Sequence, residues 1–141
     1  MTLSEQDREA LIQHHVDKSM ESIHQVKFLI ENNQLSLAVN RIYYGVYYIL
    51  SALAIKSRFK TSKHEQLIGW FNKIYIKGNI VDKRYGKIIR KFHENRMEGD
   101  YNVFSDFLKE EVEQAFIEMK DTIAEIRSQR NCGRIYQRRV A

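Results

Sequence analysis

Proline is missing altogether from this chain of 141 residues, where average usage of about 5% would supply roughly seven. That absence argues against sandwich, loop-rich and linker-rich architectures and leaves long uninterrupted helices as the simplest reading. Cysteine occurs once, at Cys132, so no intrachain disulfide can form, zinc sites of the Cys/His type are excluded, and a reducing compartment is the expectation. No apolar run approaches the roughly twenty residues that a membrane span needs. The uncharged stretch 42–55, between Arg41 and Lys56, has only fourteen. A basic segment leading into an apolar core and a small-residue cleavage site is also lacking at the start. A soluble, cytoplasmic protein with no membrane association is expected. There is no glycine-rich phosphate loop and no Gly-x-Ser-x-Gly elbow.

What remains is one domain's length, enough to bury about two-thirds of the unfolded surface without a staple. The net charge of +5 permits a nucleic-acid partner but does not specify fold. It is unevenly spread: residues 1–55 carry a net −2, 56–91 a net +9, 92–126 a net −7, and 127–141 a net +5 from five arginines. The basic segment interleaves Phe59, Trp70, Phe71, Tyr75 and Tyr85 with its cations, a pattern that suits single-stranded nucleic acid. Helical periodicity claims several of those rings for a core.

The helical signals are consistent along the chain. Thr2-x-x-Glu5 and Ser4-x-x-Asp7 are start signals of the capping type. Leu11, His15, Ser19, Ile23, Val26 and Ile30 then follow the spacing of one face. A second helix over about 34–57 is apolar nearly all round, as a central helix is. Gly45, at its middle, costs about 1 kcal/mol against Ala, so a closely packed neighbour is expected there. Ser62-Lys63-His64-Glu65 predicts a capping box for a third helix carrying Leu67, Phe71 and Ile74, closed by Gly78-Asn79. Asp82 caps a fourth with Tyr85, Ile88, Ile89 and Phe92. Glu98-Gly99-Asp100 predicts a turn. Ser105 and Asp106 open a last helix striped by Leu108, Val112, Phe116, Met119, Ile123 and Ile126. Short connections favour antiparallel neighbours. The fold class is all-α: an antiparallel up-and-down bundle of four to five helices over 1–126, followed by a basic Arg-rich tail, 127–141, that is flexible or binds a partner.

Within this frame, Arg96 continues the stripe of Tyr85, Ile89 and Phe92. A guanidinium there must be paired or open onto a cleft. Asp100 and Tyr101 follow it, and Asp100 is a candidate ion-pair partner. Tyr43, Tyr44, Tyr47 and Tyr48 could form an aromatic platform or pack the core. Of the five histidines, His14 and His15 diverge by about 100° on a helix and cannot share a metal. Glu21-x-x-His24 is half of a di-iron signature whose second half is absent. His64 falls in the predicted capping box, and His93 could border the Arg96 cleft. No metal and no cofactor are expected.

Ala38-Val39-Asn40-Arg41-Ile42-Tyr43-Tyr44-Gly45, Thr61-Ser62-Lys63-His64, Lys77-Gly78-Asn79-Ile80-Val81-Asp82-Lys83 and Arg96-x-x-x-Asp100-Tyr101 together resemble the HEPN superfamily, in particular its small stand-alone prokaryotic proteins. The likeness runs over roughly residues 8–126. It implies a helical bundle that forms a homodimer. Many relatives are metal-independent endoribonucleases of toxin–antitoxin or defence systems, often paired with a minimal nucleotidyltransferase. Others are non-catalytic and bind a nucleotide or a protein partner.

Active members carry an Arg, a polar neighbour and a His after four to six intervening residues. The Arg stabilises phosphorane charge and the His moves protons. Here Arg96 matches the Arg, with Asn95 before it and Met97 after it, but Tyr101 stands where His is expected and no His follows position 96. Arg58 and His64 have the motif spacing but precede the third helix, so that match is accidental. The resemblance therefore implies Arg96, Asp100, Tyr101 and His93 as the catalytic set, and Asn95, Arg41, Tyr44 and His64 as the nucleotide- or RNA-binding set. It leaves open modified chemistry by Tyr101 and Asp100, substitution by His93, or binding without cleavage. Tyr101 is also the candidate acceptor for nucleotidylation by a partner.

Overall fold

A computed structural model describes residues 3–101 and 106–131, with the backbone alone described at 97–101 and 130–131. The elements are α1 (Glu5–Glu31), α2 (Leu35–Lys56), α3 (His64–Phe71), α4 (Lys83–Tyr101) and α5 (Lys109–Asn131). Among the described residues there is no strand and no helix long and apolar enough to cross a membrane.

Ser4 caps α1, its Oγ accepting from Asp7 N at 3.0 Å. The buried stripe is Arg8, Ile12, Val16, Ser19, Ser22, Val26 and Ile30. Leu11, expected on that stripe, is exposed, while His15 and Ile23 are half-buried. Ser19, Val26 and Ile30 lie on it as expected, while the earlier turns bury Ile12 and Val16, one residue beyond Leu11 and His15 and so about 100° round the helix. At the end of α1, Asn33 adopts φ 56° and Gln34 N donates to Leu29 O at 2.8 Å. The chain reverses there. Arg8 Nη1 reaches Ile55 O at 3.2 Å and Ser19 Oγ reaches Gly45 O at 2.7 Å, so α1 and α2 run antiparallel.

Helix α2 is the central element and packs on α1, α3, α4 and α5. The expected close neighbour at Gly45 is present. A Cβ there would run into Met119 Cε of α5 and lie 3.1 Å from Ser22 Cβ of α1. Three helices converge where one lacks a side chain.

The capping box predicted at Ser62 does not form. Lys63 holds the N-cap position without a side-chain bond, and Thr61 does the local work. Its Oγ1 accepts from Lys63 N at 3.1 Å and donates to Gln66 Oε1 at 2.6 Å. From Phe71 the chain widens into a π-helical turn, Asn72–Ile76, marked by Lys77 N donating to Asn72 O at 2.9 Å. Asn79 at φ 58° then ends it, as the Gly78-Asn79 signal predicts. Asp82 caps α4, its Oδ1 accepting from Arg84 N at 2.9 Å.

Two expectations fail at the other end of the bundle. Glu98-Gly99-Asp100 is helical, because α4 runs on to Tyr101. One glycine costs only about 1 kcal/mol in a helix that is already nucleated. Helix α5 starts at Lys109, three residues after Asp106, with Leu108 O accepting from Val112 N at 3.1 Å. Leu108 is 61% exposed instead of lying on the stripe, whereas Val112, Met119, Ile123 and Ile126 are buried. Ser105 lies outside the described residues, as does the tail beyond Asn131. The basic and acidic segments partly neutralise each other here, through Lys91 to Glu118 at 2.6 Å and Arg84 to Asp121 at 3.3 Å. Those pairs also set α4 antiparallel to α5.

Candidate functional site

A polar, aromatic cluster forms where α2, the start of α3 and α4 meet. Tyr43, Tyr44 and Tyr47 are one and four residues apart on α2, so Tyr43 and Tyr47 share a face and Tyr44 flanks it. Tyr43 is 1% exposed, while Tyr44 and Tyr47 are half-buried. Arg96 reaches across from α4, its Nη2 donating to Tyr44 Oη at 2.9 Å. Its guanidinium carbon lies 5.4 Å from the Tyr44 ring centre and 5.9 Å from that of Tyr43. Arg41 covers Tyr44 at 4.9 Å and is steadied by Asn40, whose Oδ1 accepts from Nε at 3.3 Å and Nη2 at 3.2 Å. Two guanidinium groups thus bracket one phenol, held by cation–π attraction and hydrogen bonds.

Two imidazoles complete the cluster. His64, the first residue of α3, stacks on Tyr47 with ring centres 4.0 Å apart and 10° between planes. Its Nδ1 lies 2.7 Å from Tyr43 Oη. With the phenol donating, His64 Nε2 carries the proton; with Nδ1–H donating, Nε2 offers a lone pair. His93, on α4, sets its ring 5.2 Å from Tyr43, and its buried Nδ1 has no hydrogen-bond partner among the described residues.

The charges around these groups bias their protonation. Burial lowers the pKa of His64, and the positive Arg96 and then His93 add to that effect. Burial raises the pKa of Tyr43 far above that of an ordinary phenol, against an opposing pull from Arg96. At neutral pH the cluster therefore holds fixed guanidinium charge, a neutral His64 imidazole and the protonated Tyr43 phenol. Such a set can bind an anionic oxygen, stack a planar ring and exchange a proton. Among the described residues no three His, Cys, Asp or Glu side chains are grouped to hold a metal ion.

Of the residues singled out from sequence, Arg96, His93, Arg41, Tyr44 and His64 are brought together. Asn95 is not. It lies in the α4–α5 groove with Lys91, Glu111 and Glu118, because adjacent helical positions point about 100° apart. Asp100 and Tyr101 belong to the last turn of α4, and their side chains lie outside the description, as does any pairing of Asp100 with Arg96. Tyr43 and Tyr47, weighed from sequence as aromatic platform or core, are members too, as is Asn40. The i, i+4 relation of Tyr43 and Tyr47 was the available signal, but it does not say that a histidine 21 residues later inserts beside them.

Comparison with known proteins bears on this arrangement. The family model described as HEPN domain matches residues 12–129. A UPF0332 protein of Thermotoga maritima is 34% identical over 106 residues, covering 75% of this chain and 80% of the relative. Two proteins of Methanocaldococcus jannaschii are each 29% identical. "Putative toxin MJ0142" matches over 70% of this chain and "Putative toxin MJ0605" over 64%, each alignment covering 67% of the relative.

Proposed function

The chain belongs to the HEPN domain family, and we propose that it is one component of a toxin–antitoxin or defence pair and acts on RNA as a metal-independent endoribonuclease of altered motif. The observation that carries this reading is the guanidinium of Arg96, held at 2.9 Å by Tyr44 beside two imidazoles. Arg96 and Arg41 bind the scissile phosphate, and Arg96 stabilises the charge that grows on it in the transition state. Tyr101 occupies the motif position where a His is expected. The proton transfers therefore fall to His93, one turn before Arg96, with His64 as the second imidazole in the cluster. A neutral imidazole can take the 2′-hydroxyl proton and return one to the leaving oxygen. Asp100 and Tyr101, which follow Arg96 in the chain, complete the proposed catalytic set. In a homodimer, two such clusters facing one another would grip a single strand.

A second reading is a non-catalytic module that binds a nucleotide or a partner nucleotidyltransferase. What favours it is Tyr101 in place of His, together with the half-buried Tyr47–His64 stack, on which a base can stack without its backbone being cut.

Incubating the purified chain with structured RNA in EDTA separates the two. Cleavage that Arg96→Ala abolishes and that His93→Ala impairs supports the nuclease. Intact RNA at high protein concentration, with fold and dimer verified, rejects it. A melting shift on adding nucleotide that disappears in Arg96→Ala then supports the binding module by mass action.

A further inference from the structure

A cavity of about 550 Å³ opens on the other side of Tyr47, between the first half of α1, the second half of α2 and the 57–63 connection. Its volume lies within the range of small-molecule sites. Its lining includes the apolar Leu11, Phe59 and Leu67 and the cations Arg8, Arg58 and Lys60. Arg8 is unusual for an arginine, being only 7% exposed. Its Nη1 donates to Ile55 O, while its buried Nε has no hydrogen-bond partner among the described residues and lies 3.7 Å from Glu5 Oε1. His15 lines the same cavity, and its buried Nδ1 is likewise without a partner among the described residues. Buried polar atoms are nearly always satisfied. Arg8 and His15, each with an unsatisfied one among the described residues, border the same cavity.

Two of these cations already share an anion: Glu5 pairs with Arg58 and lies 3.7 Å from Arg8. Among the described residues Lys60 has no carboxylate within ion-pair distance. We propose that this cavity binds a small organic anion, its acidic head on Arg8, Arg58 and Lys60 and its apolar body against Leu11, Phe59 and Leu67. The site is separate from the Arg96 cluster. Tyr47 is their common wall, lining the cavity and stacking on His64.

The test is a fluorescence titration of the whole chain with 8-anilinonaphthalene-1-sulfonate, an aromatic anion. Displacement by adenosine monophosphate and by decanoate distinguishes a phosphate from a carboxylate head. Saturable one-to-one binding is expected, competed by at least one of the two. The exposed Arg58→Gln/Lys60→Glu pair should weaken it by about tenfold or more, as loss of charge-assisted contacts does. Glu5→Gln should tighten it, by removing the resident carboxylate, and Arg96→Ala should leave it unchanged. The proposal is overturned if no saturable binding occurs, if the double variant, verified as folded by circular dichroism, binds as the parent does, or if Arg96→Ala abolishes binding. That last result would place the probe at the other cluster. Since the readout is binding and not cleavage, its failure is distinguishable from failure of the nuclease reading.

Discussion

The face of α2 that meets α1 and α5 and the face that meets α3 and α4 differ in what fills them. Toward α1 and α5 the contact is close and mostly aliphatic: Gly45 against Met119 and Ser22, with the hydroxyls of Ser19 and Ser22 bonded to the carbonyls of Gly45 and Lys18. Toward α3 and α4 it is aromatic, charged and half open, with Tyr43, Tyr44 and Tyr47 against His64, His93 and Arg96. The first face is optimised for burial. The second keeps polar groups at a boundary where an outside molecule can reach them. One helix therefore supplies both the fold's anchor and its candidate chemistry.

Met119→Ala should cost the most stability, about 3 kcal/mol, by emptying space at a fully buried position. Urea unfolding would measure it, and RNA or nucleotide binding at the Arg96 cluster should persist wherever the variant is folded. Arg96→Ala should do the reverse, removing function while lowering stability by only about 1 kcal/mol, since a half-buried hydrogen bond is partly replaced by water. If Arg96→Ala unfolds the chain more readily than Met119→Ala does, the division between the two faces is wrong.

Tyr43→Phe probes the boundary between them. It removes the phenol that meets His64 Nδ1 and leaves that nitrogen without its partner, for about 1–2 kcal/mol. A change indistinguishable from zero would mean that this contact holds nothing in place. Gly45→Ala should cost about 1 kcal/mol, the crowding against Met119 and Ser22 exceeding the gain in helix propensity. A more stable variant would show that the convergence has slack.

Acidification gives the smallest effect, and its sign follows from His64 and His15. Burial holds both below the ordinary value of 6.5, aided at His64 by Arg96 and His93 and at His15 by His14. The unfolded chain then binds protons more readily than the folded one. These residues contribute no pH dependence above about 6.5, and stability falls as pH drops below it toward their folded values. Unfolding midpoints of the parent and a His15→Gln/His64→Gln variant, compared from about pH 8 to pH 5, should show a shallower acid loss in the variant. Equal slopes would remove the histidines from the account.

The helices were legible because their signals are local. Ser4 and Asp82 cap the elements they precede, and Tyr85, Ile89 and Phe92 are buried as their spacing requires. The errors were local too. Thr61 displaced Ser62 as the organiser of the α3 start, and Gly99 was absorbed by a helix whose hydrogen bonds outweighed it. The site was legible at Arg96, whose place on an apolar stripe poses a solvation problem wherever it occurs. Asn95 was misplaced because chain proximity is not proximity in space.

Composition and periodicity by themselves determined an all-helical bundle, its central helix and the need for a close neighbour at Gly45, since backbone geometry and burial act within a few turns. Only the tertiary structure decided that His64 stacks on Tyr47, that Arg96 donates to Tyr44, and that Arg8 and His15 line one cavity. Those contacts join residues 17, 52 and 7 positions apart, the last pair two turns apart on α1. The long-range pairs depend on how helices dock. The cavity depends on what the docking leaves empty, which no single helix encodes.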